Sequence, residues 1–241
     1  MIDVATVGPI RRGEGLRLSR VQYARFADLL DALSPEEWAA PTDCAGWDVK
    51  AVASHVLGSL EDIRKPHGFV RRYQLARKED GDWLDALNAV QVREHAAWEP
   101  GRIAAELRAV VKPALRMRAR TPLLLRTVVR PTLPVAGRVP LSWIADVVYT
   151  RDTFLHRVDV CRATGREVVV DDVERRVIAD IVREWAGRHG APFVLRLTGP
   201  AGATYGSGTG GAEIACDAVD FARYVGGRGN PEGLLATPVQ Y

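Results

Sequence analysis

The sequence lacks the features that would assign it to a secreted or membrane-spanning class. It holds only three cysteines, Cys44, Cys161 and Cys216, which are far apart and form no CxxC pair, so no disulfide framework is predicted. No apolar run approaches the roughly 20 residues that a bilayer-spanning helix needs. The N-terminus lacks the basic start and apolar core of a signal peptide. We therefore expect a soluble, cytoplasmic protein with no membrane partner.

The sequence also lacks the motifs of nucleotide and nucleic-acid binding. No GK[ST] is present, which excludes a P-loop. Acidic and basic residues are nearly balanced, 30 against 33, and no basic tract combines with aromatic residues, so no nucleic-acid partner is expected. Residues 206–211 satisfy GxGxxG literally, but a strand pattern follows them where a dinucleotide site needs a helix. We interpret this segment as a hairpin turn.

What the sequence does contain is a long helical pattern. Of its 241 residues, 47% are hydrophobic, which is typical of a globular protein. After an irregular lead-in over 1–15, apolar spacing predicts helices over 16–33, 48–64, 82–120 and 141–163. The third is interrupted at Pro100-Gly101 and can kink at Pro113. Residues 34–38 carry a capping box, 65–81 form a connection, and the proline-rich segment 121–140 forms a long crossover. This arrangement favours a four-helix bundle.

The periodicity changes after Gly165. Short strands are predicted over 168–170, 193–197, 203–205 and 212–215, and capped helices over 171–188 and 218–225. The sequence therefore predicts an α+β protein of two domains, a helical bundle over 1–165 and a small α+β domain over 166–241.

One pair of polar residues in the last bundle helix is a candidate for a functional site. On a helical wheel Asp152 falls within an apolar stripe, and His156 follows four residues later on the same side. The stripe consists of Leu141, Ile144, Ala145, Val148 and Leu155. A carboxylate in such a stripe is costly unless it is paired, hydrogen-bonded or bound to a metal. Either Asp152 neutralises a buried arginine with His156 as its hydrogen-bond partner, or the two residues bind one metal ion.

A third candidate ligand is His55 in the predicted helix 48–64. It lies at the edge of that helix's apolar face. A solvated or locally hydrogen-bonded histidine is the simpler interpretation of the residue taken alone. An edge position in a bundle can also direct a side chain towards a polar cavity between the helices.

Two stretches of the bundle resemble the signatures of the mycothiol-dependent maleylpyruvate isomerase family, within the DinB/YfiT-like superfamily. The first is Thr42-Asp43-Cys44-Ala45-Gly46-Trp47-Asp48-Val49 with the later His55. The second is Tyr149-Thr150-Arg151-Asp152-Thr153-Phe154-Leu155-His156-Arg157-Val158-Asp159. Residues 217–228 resemble more weakly the sterol-carrier-protein-like domain that follows the bundle in many members. The scarcity of lysine, with abundant alanine, valine and glycine, is consistent with an actinobacterial origin.

The resemblance implies a DinB-like bundle that holds one divalent, zinc-like metal. The ligands that it implies are His55, Asp152 and His156. The chain departs from the isomerase at one ligand, since the isomerase carries glutamate where Asp152 stands. A shorter acid still coordinates, but it would hold the metal closer to its helix. The resemblance also implies mycothiol as a thiol co-substrate.

The function expected from this reasoning is metal-dependent thiol transfer or thiol-assisted isomerisation of a small electrophile. A metal-dependent hydrolase and a non-catalytic metal- or ligand-binding protein stay open as alternatives. Four arginines could bind carboxylates of substrate or thiol, although most are expected to be surface or interdomain residues: Arg151, Arg157, Arg223 and Arg228. Cys44 is either a reactive thiol or a small buried residue. The protein is expected to be a monomer or a homodimer.

Overall fold

The computed structural model of the protein describes residues 1–241 and confirms the α+β class. The helices are α1 (Arg12–Asp31), α2 (Pro35–Trp38), α3 (Val49–Arg64), α4 (Pro66–Ala76), α5 (Trp83–His95), α6 (Pro100–Arg120), α7 (Leu123–Val128), α8 (Leu141–Trp143), α9 (Tyr149–Ala163), α10 (Asp172–His189) and α11 (Ala218–Val225). The strands are β1 (Ile2–Asp3), β2 (Thr132–Leu133), β3 (Gly137–Arg138), β4 (Phe193–Thr198), β5 (Thr204–Ser207) and β6 (Ala212–Asp217). None of the helices is both long enough and apolar enough to cross a bilayer.

Four long helices, α1, α3, α6 and α9, pack against one another as the predicted bundle. Their apolar faces meet in a buried cluster that includes Phe26, Leu57 and Leu107. The helix α9 also contributes Phe154 and Leu155 to a second cluster, formed mainly by α10, α11 and the sheet. The α9 helix therefore lies between the two hydrophobic cores and contributes to both, so its polar residues are close to the centre of the molecule.

The chain forms the predicted helix starts. Ser34 and Glu37 make a reciprocal capping box at α2, and Asp171 and Glu174 make another at α10. Asp48 accepts a hydrogen bond from the Ala51 backbone amide at 2.7 Å and so begins α3. This cap fixes the register of the helix that carries His55.

The predicted helix 141–163 is not one continuous α-helix. A π-helical turn, Ile144–Val148, separates α8 from α9. A π-turn holds more residues than an α-turn. A helical wheel with one 3.6-residue period therefore cannot assign the faces of the residues before and after the π-turn together. The Asp146 side chain within this turn is buried and pairs with Arg126 of α7. Asp152, predicted within the apolar stripe, is instead half-buried, with a side chain 19% exposed.

The order of the strands separates β5 from β6, which the predicted hairpin turn would have made neighbours. The sheet has the order β1-β5-β4-β6, with β5 antiparallel to β4 and both outer pairs parallel. The first residues, predicted as an irregular lead-in, supply the edge strand β1. The predicted strand 168–170 is wrong, since these residues form no ladder. The division into domains 1–165 and 166–241 stays a prediction, and β1 joins the sheet formed by the later residues.

The glycine-rich segment 206–211 is not the predicted hairpin turn. It leaves β5 on one side of β4 and enters β6 on the other, so it crosses the start of β4. The crossing leaves no room for a side chain, because a Cβ at Gly211 would lie 1.8 Å from the carbonyl oxygen of Pro192. The strand β6 follows the segment directly, where a dinucleotide-binding loop of this type would open a helix.

A Gly211→Ala substitution is expected to destabilise the protein by about 3 kcal/mol, since both the added methyl group and its obstacle belong to backbone that must move. Gly187→Ala in α10 is the control. A Cβ there meets nothing within 4 Å, so this change should be neutral or stabilise the helix by about 0.5–1 kcal/mol. Urea unfolding of both variants measures the difference. Equal stabilities would contradict the described crossing.

Candidate metal centre

Three side chains from two bundle helices converge at one point. The Nε2 atom of His55, on α3, lies 3.6 Å from Oδ1 of Asp152, on α9. The Nε2 atom of His156, one turn further along α9, lies 3.3 Å from the same oxygen. One ligand atom from each of the three residues lies within 4.8 Å of the other two. Both histidines are buried, so His55 points inward from its predicted edge position.

Each histidine is held by a hydrogen bond on its other ring nitrogen. The Nδ1 atom of His55 lies 2.8 Å from Oε1 of Gln91 on α5, and Gln91 in turn donates to Asp62 at 2.7 Å. The Nδ1 atom of His156 lies 3.1 Å from Oδ2 of Asp159. An amide oxygen and a carboxylate can only accept, so the Nδ1 atoms carry the hydrogens. In the neutral form of each imidazole, the Nε2 lone pair therefore faces the carboxylate of Asp152.

This arrangement attracts positive charge. Burial alone would raise the pKa of Asp152, but the neighbouring imidazoles of His156 and His55 hold the pKa well below its usual value. Burial likewise opposes protonation of His156, and the carboxylates of Asp152 and Asp159 outweigh it and raise the histidine's pKa. Two nitrogen lone pairs and a carboxylate oxygen in close contact repel one another unless a proton or a metal cation lies between them.

The donor set fits a divalent metal of the zinc type. Two imidazole nitrogens and one carboxylate oxygen are common zinc ligands, and bonds of about 2.0–2.2 Å at tetrahedral angles place neighbouring ligand atoms about 3.3–3.6 Å apart. The separations of 3.3 and 3.6 Å between Asp152 and the histidines agree with this spacing. Three protein ligands leave a coordination position for a substrate, which is the pattern of catalytic sites.

A second group with metal-binding side chains lies beside the first and shares His156 with it. The Sγ atom of Cys44 lies 3.2 Å from Oδ2 of Asp159 and 3.9 Å from Nδ1 of His156. The guanidinium of Arg228 already binds Asp159 at 2.8 Å and approaches the sulfur at 3.6 Å. Its positive charge opposes a cation at this point. The chemistry of the site therefore favours the His55, Asp152 and His156 group.

The loop before α3 closes one side of the site. Thr42 ties the loop by donating from its hydroxyl to the carbonyl of Trp47 at 2.8 Å. The Trp47 ring then lies 5.3 Å from the ring centre of His55 and 6.3 Å from that of His156. Trp47 also lines a cleft of about 480 Å³ between this loop, the first turns of α3 and the end of α5. One aromatic side chain thus borders both the histidines and a space that can admit a small molecule.

Comparison with known proteins identifies the family of the chain. Residues 20–161, more than half of the chain, match the family model described as the mycothiol maleylpyruvate isomerase N-terminal domain. The chain belongs to this family. Its fold is similar, over the full length of both chains, to the crystal structure of a mycothiol-dependent maleylpyruvate isomerase and to that of a histidine-to-alanine mutant of that enzyme, each with a TM-score of 0.61 and 16% identity. No curated protein sequence matches the chain.

Membership in the maleylpyruvate isomerase family confirms the resemblance of the two bundle signatures and the interpretation of the chain as an enzyme. The match to the family model ends at residue 161, so the resemblance of residues 217–228 to a sterol-carrier-protein-like domain stays a prediction. The four candidate arginines all lie in ion pairs. Arg151 binds Asp180 and Glu184, and Arg157 binds Glu174, all inside the protein. Arg223 joins α11 to Asp43 of the site loop. Arg228 alone of the four contacts a partner of a candidate ligand, Asp159, so it is the one closest to the chemistry.

Sequence reasoning missed the residues that orient the histidines. Asp159 carried a signal, since it lies three residues after His156 and therefore on the same side of α9. Gln91 carried none, because it lies 36 residues from His55 on a helix with no recognisable motif. Trp47 was part of the first family signature, but its contact with both histidines depends on how the loop folds.

Replacement of Asp159 by asparagine is expected to weaken metal binding about 10- to 100-fold. The neutral amide is a poorer acceptor for the Nδ1 hydrogen of His156, and it leaves the charge of Arg228 unbalanced near the candidate metal site. Competition with a chromophoric chelator measures the affinity. Asp172→Asn, at an exposed position of α10, is the matched control. Affinities that agree within twofold would show that Asp159 does not position the ligand.

Proposed function

We propose that this protein is a divalent-metal-dependent enzyme that uses a low-molecular-weight thiol, mycothiol, to isomerise or conjugate a small electrophile. The observation that carries the proposal is the convergence of the two Nε2 atoms on the carboxylate of Asp152. It supports His55, Asp152 and His156 as the metal ligands, in a chain whose family is named for a mycothiol-dependent isomerase. Zinc is the metal that this ligand set fits best.

A bound divalent cation would lower the pKa of a thiol that reached its open coordination position, so that thiolate is present at neutral pH. The chain's own residues prepare that position. Gln91 and Asp159 fix the two imidazoles with their Nε2 atoms inward, and Trp47 covers one side of them. This rigid frame means that little reorganisation is needed when a thiol binds.

Isomerisation and conjugation share their first step in this proposal. The thiolate sulfur forms a bond to an electrophilic carbon of a conjugated double bond, whose electron pair moves onto the adjoining carbonyl oxygen. The former double bond can then rotate. Expulsion of the thiolate restores the double bond in the other geometry, whereas protonation of the carbon gives the thioether adduct. Maleylpyruvate, the compound in the family name, is the first substrate to test.

The test is turnover of maleylpyruvate, and of a panel of conjugated electrophiles, with metal-loaded protein in the presence and absence of mycothiol. Turnover that needs both metal and thiol supports the proposal. Metal-dependent turnover without thiol would replace it with the hydrolase alternative. Metal binding without any turnover across the panel would indicate a binding protein. The cytoplasm is the proposed location, since low-molecular-weight thiols stay reduced there.

A further inference from the structure

The crossover between α6 and α9 carries an unusual charge pattern. From Leu107 to Ala145 the chain has no acidic residue, but it has eight basic ones. Five of these are exposed and lie in no ion pair: Lys112, Arg116, Arg120, Arg130 and Arg138. A stretch of this length without a single carboxylate presents one sign of charge to its surroundings, although the whole chain has a net charge of only +3.

The helix at the centre of this stretch, α7, exposes apolar side chains to solvent. Leu123 is 68% exposed, Leu124 70%, and Val128 64%. Leu125 and Val129 add to the same surface, and Met117 lies on the preceding turn of α6. Single exposed apolar residues are ordinary, but a cluster of six within 13 residues marks a surface that contacts another apolar phase. We call this cluster, with Arg116, Arg120 and Arg130, the α7 surface.

The helix α7 is attached to the body of the protein through its packing against α8 and through Arg126. Arg126 is buried and pairs with Asp146 in the π-helical turn. Successive residues of a helix are rotated by about 100°, so Leu123, Leu124 and Leu125 spread over about 200° around the axis while Arg126 faces inward. The apolar side chains therefore protrude in several directions from a convex ridge. A folded protein partner would cover one side of such a ridge, whereas a lipid layer can surround it.

The charge decides between a lipid surface and a second copy of the chain. A symmetric dimer through the α7 surface would bring the same exposed arginines towards one another, with no carboxylate in the stretch to offset them. An anionic lipid surface complements both features, because its headgroups attract the arginines and its acyl region accepts the leucines. We propose that the α7 surface docks the protein reversibly onto anionic membranes. This proposal replaces the expectation of no membrane partner, which concerned spanning segments alone.

Flotation of the full-length protein with vesicles tests this proposal. Vesicles of phosphatidylcholine with phosphatidylglycerol should bind at least about tenfold more protein than phosphatidylcholine alone, and added salt should weaken the binding. A Leu124→Ser/Val128→Ser variant should bind the mixed vesicles about tenfold less. An Arg116→Gln/Arg120→Gln/Arg130→Gln variant should show a similar loss. All of these side chains are exposed, so circular dichroism should show native melting.

Matched controls change the same chemistry elsewhere. Val70→Ser removes a half-exposed apolar side chain from α4, and Lys65→Gln/Arg77→Gln/Lys78→Gln removes three exposed charges from the same region. Both controls should bind like the unmodified protein. Equal losses in controls and α7 variants would overturn the docking site, as would no binding to either vesicle. A dimer in light scattering that Leu124→Ser/Val128→Ser dissociates would assign the surface to self-association. The test measures no turnover, so it stands or fails independently of the proposed activity.

Discussion

A His156→Ala variant is expected to lose thiol-dependent turnover by about 1,000-fold or more, or about 4 kcal/mol of transition-state stabilisation. The substitution removes one of the two proposed nitrogen ligands, and it also releases Asp159 from its contact with the imidazole. The measurement is kcat/KM for the substrate identified in the thiol-dependent assay, with the metal content of each sample determined in parallel. Activity and metal content should fall together.

Two further variants make the His156 result specific. His156→Gln keeps most of the side-chain volume, so it separates loss of the ligand from the cavity that alanine leaves in a buried position. His67→Ala changes an exposed histidine on α4 and should retain full activity. A His156→Ala protein that folds, binds metal stoichiometrically and turns over substrate normally would show that the three-residue ligand set is wrong.

The second large effect is expected in stability. Arg151 has no exposed side-chain surface and lies 2.6 Å from Asp180, which is also fully buried, and 2.5 Å from Glu184. An Arg151→Met substitution leaves these carboxylates inside the protein without their main partner. Breaking a buried pair in this way costs about 3–5 kcal/mol. Since the pairs join α9 to α10, the loss would loosen the contact between the bundle and the sheet.

Urea unfolding of Arg151→Met beside Arg175→Met measures this effect. Arg175 pairs with Asp172 at the surface, where such pairs contribute at most about 1 kcal/mol, so its replacement should change stability little. An Arg151→Met protein as stable as the control would mean that Arg183 and Arg188, which also contact the two acids, suffice to neutralise them. In that case Arg151 would be free to serve another role.

Local signals in the sequence predicted much of the fold. Helix starts at Ser34, Asp48 and Asp171 were predictable because capping depends on a few neighbouring residues. The approach of His55 to Asp152 and His156 was suggested by the i, i+4 spacing together with the resemblance to the family. The caps depend on short segments that keep their geometry in most contexts, whereas the approach of His55 to the α9 residues was predictable only through the resemblance to the family.

Features that depend on distant contacts were not predictable. The π-turn at Ile144–Val148 departs from the uniform helical period, and its Asp146 pairs with an arginine 20 residues earlier. The strand β1 is only two residues long and exists because it pairs with β5 at the other end of the chain. The support of His55 by Gln91 depends on how α5 packs against α3, which no local pattern encodes.

Elemental analysis tests most directly the claim that His55, Asp152 and His156 hold one divalent metal. The full-length protein and a His55→Ala/His156→Ala variant would be loaded with zinc, desalted and measured side by side, with circular dichroism to confirm that both are folded. The account predicts one zinc per chain in the unmodified protein and close to none in the variant. Equal zinc in both, or close to none in the folded unmodified protein, would contradict it.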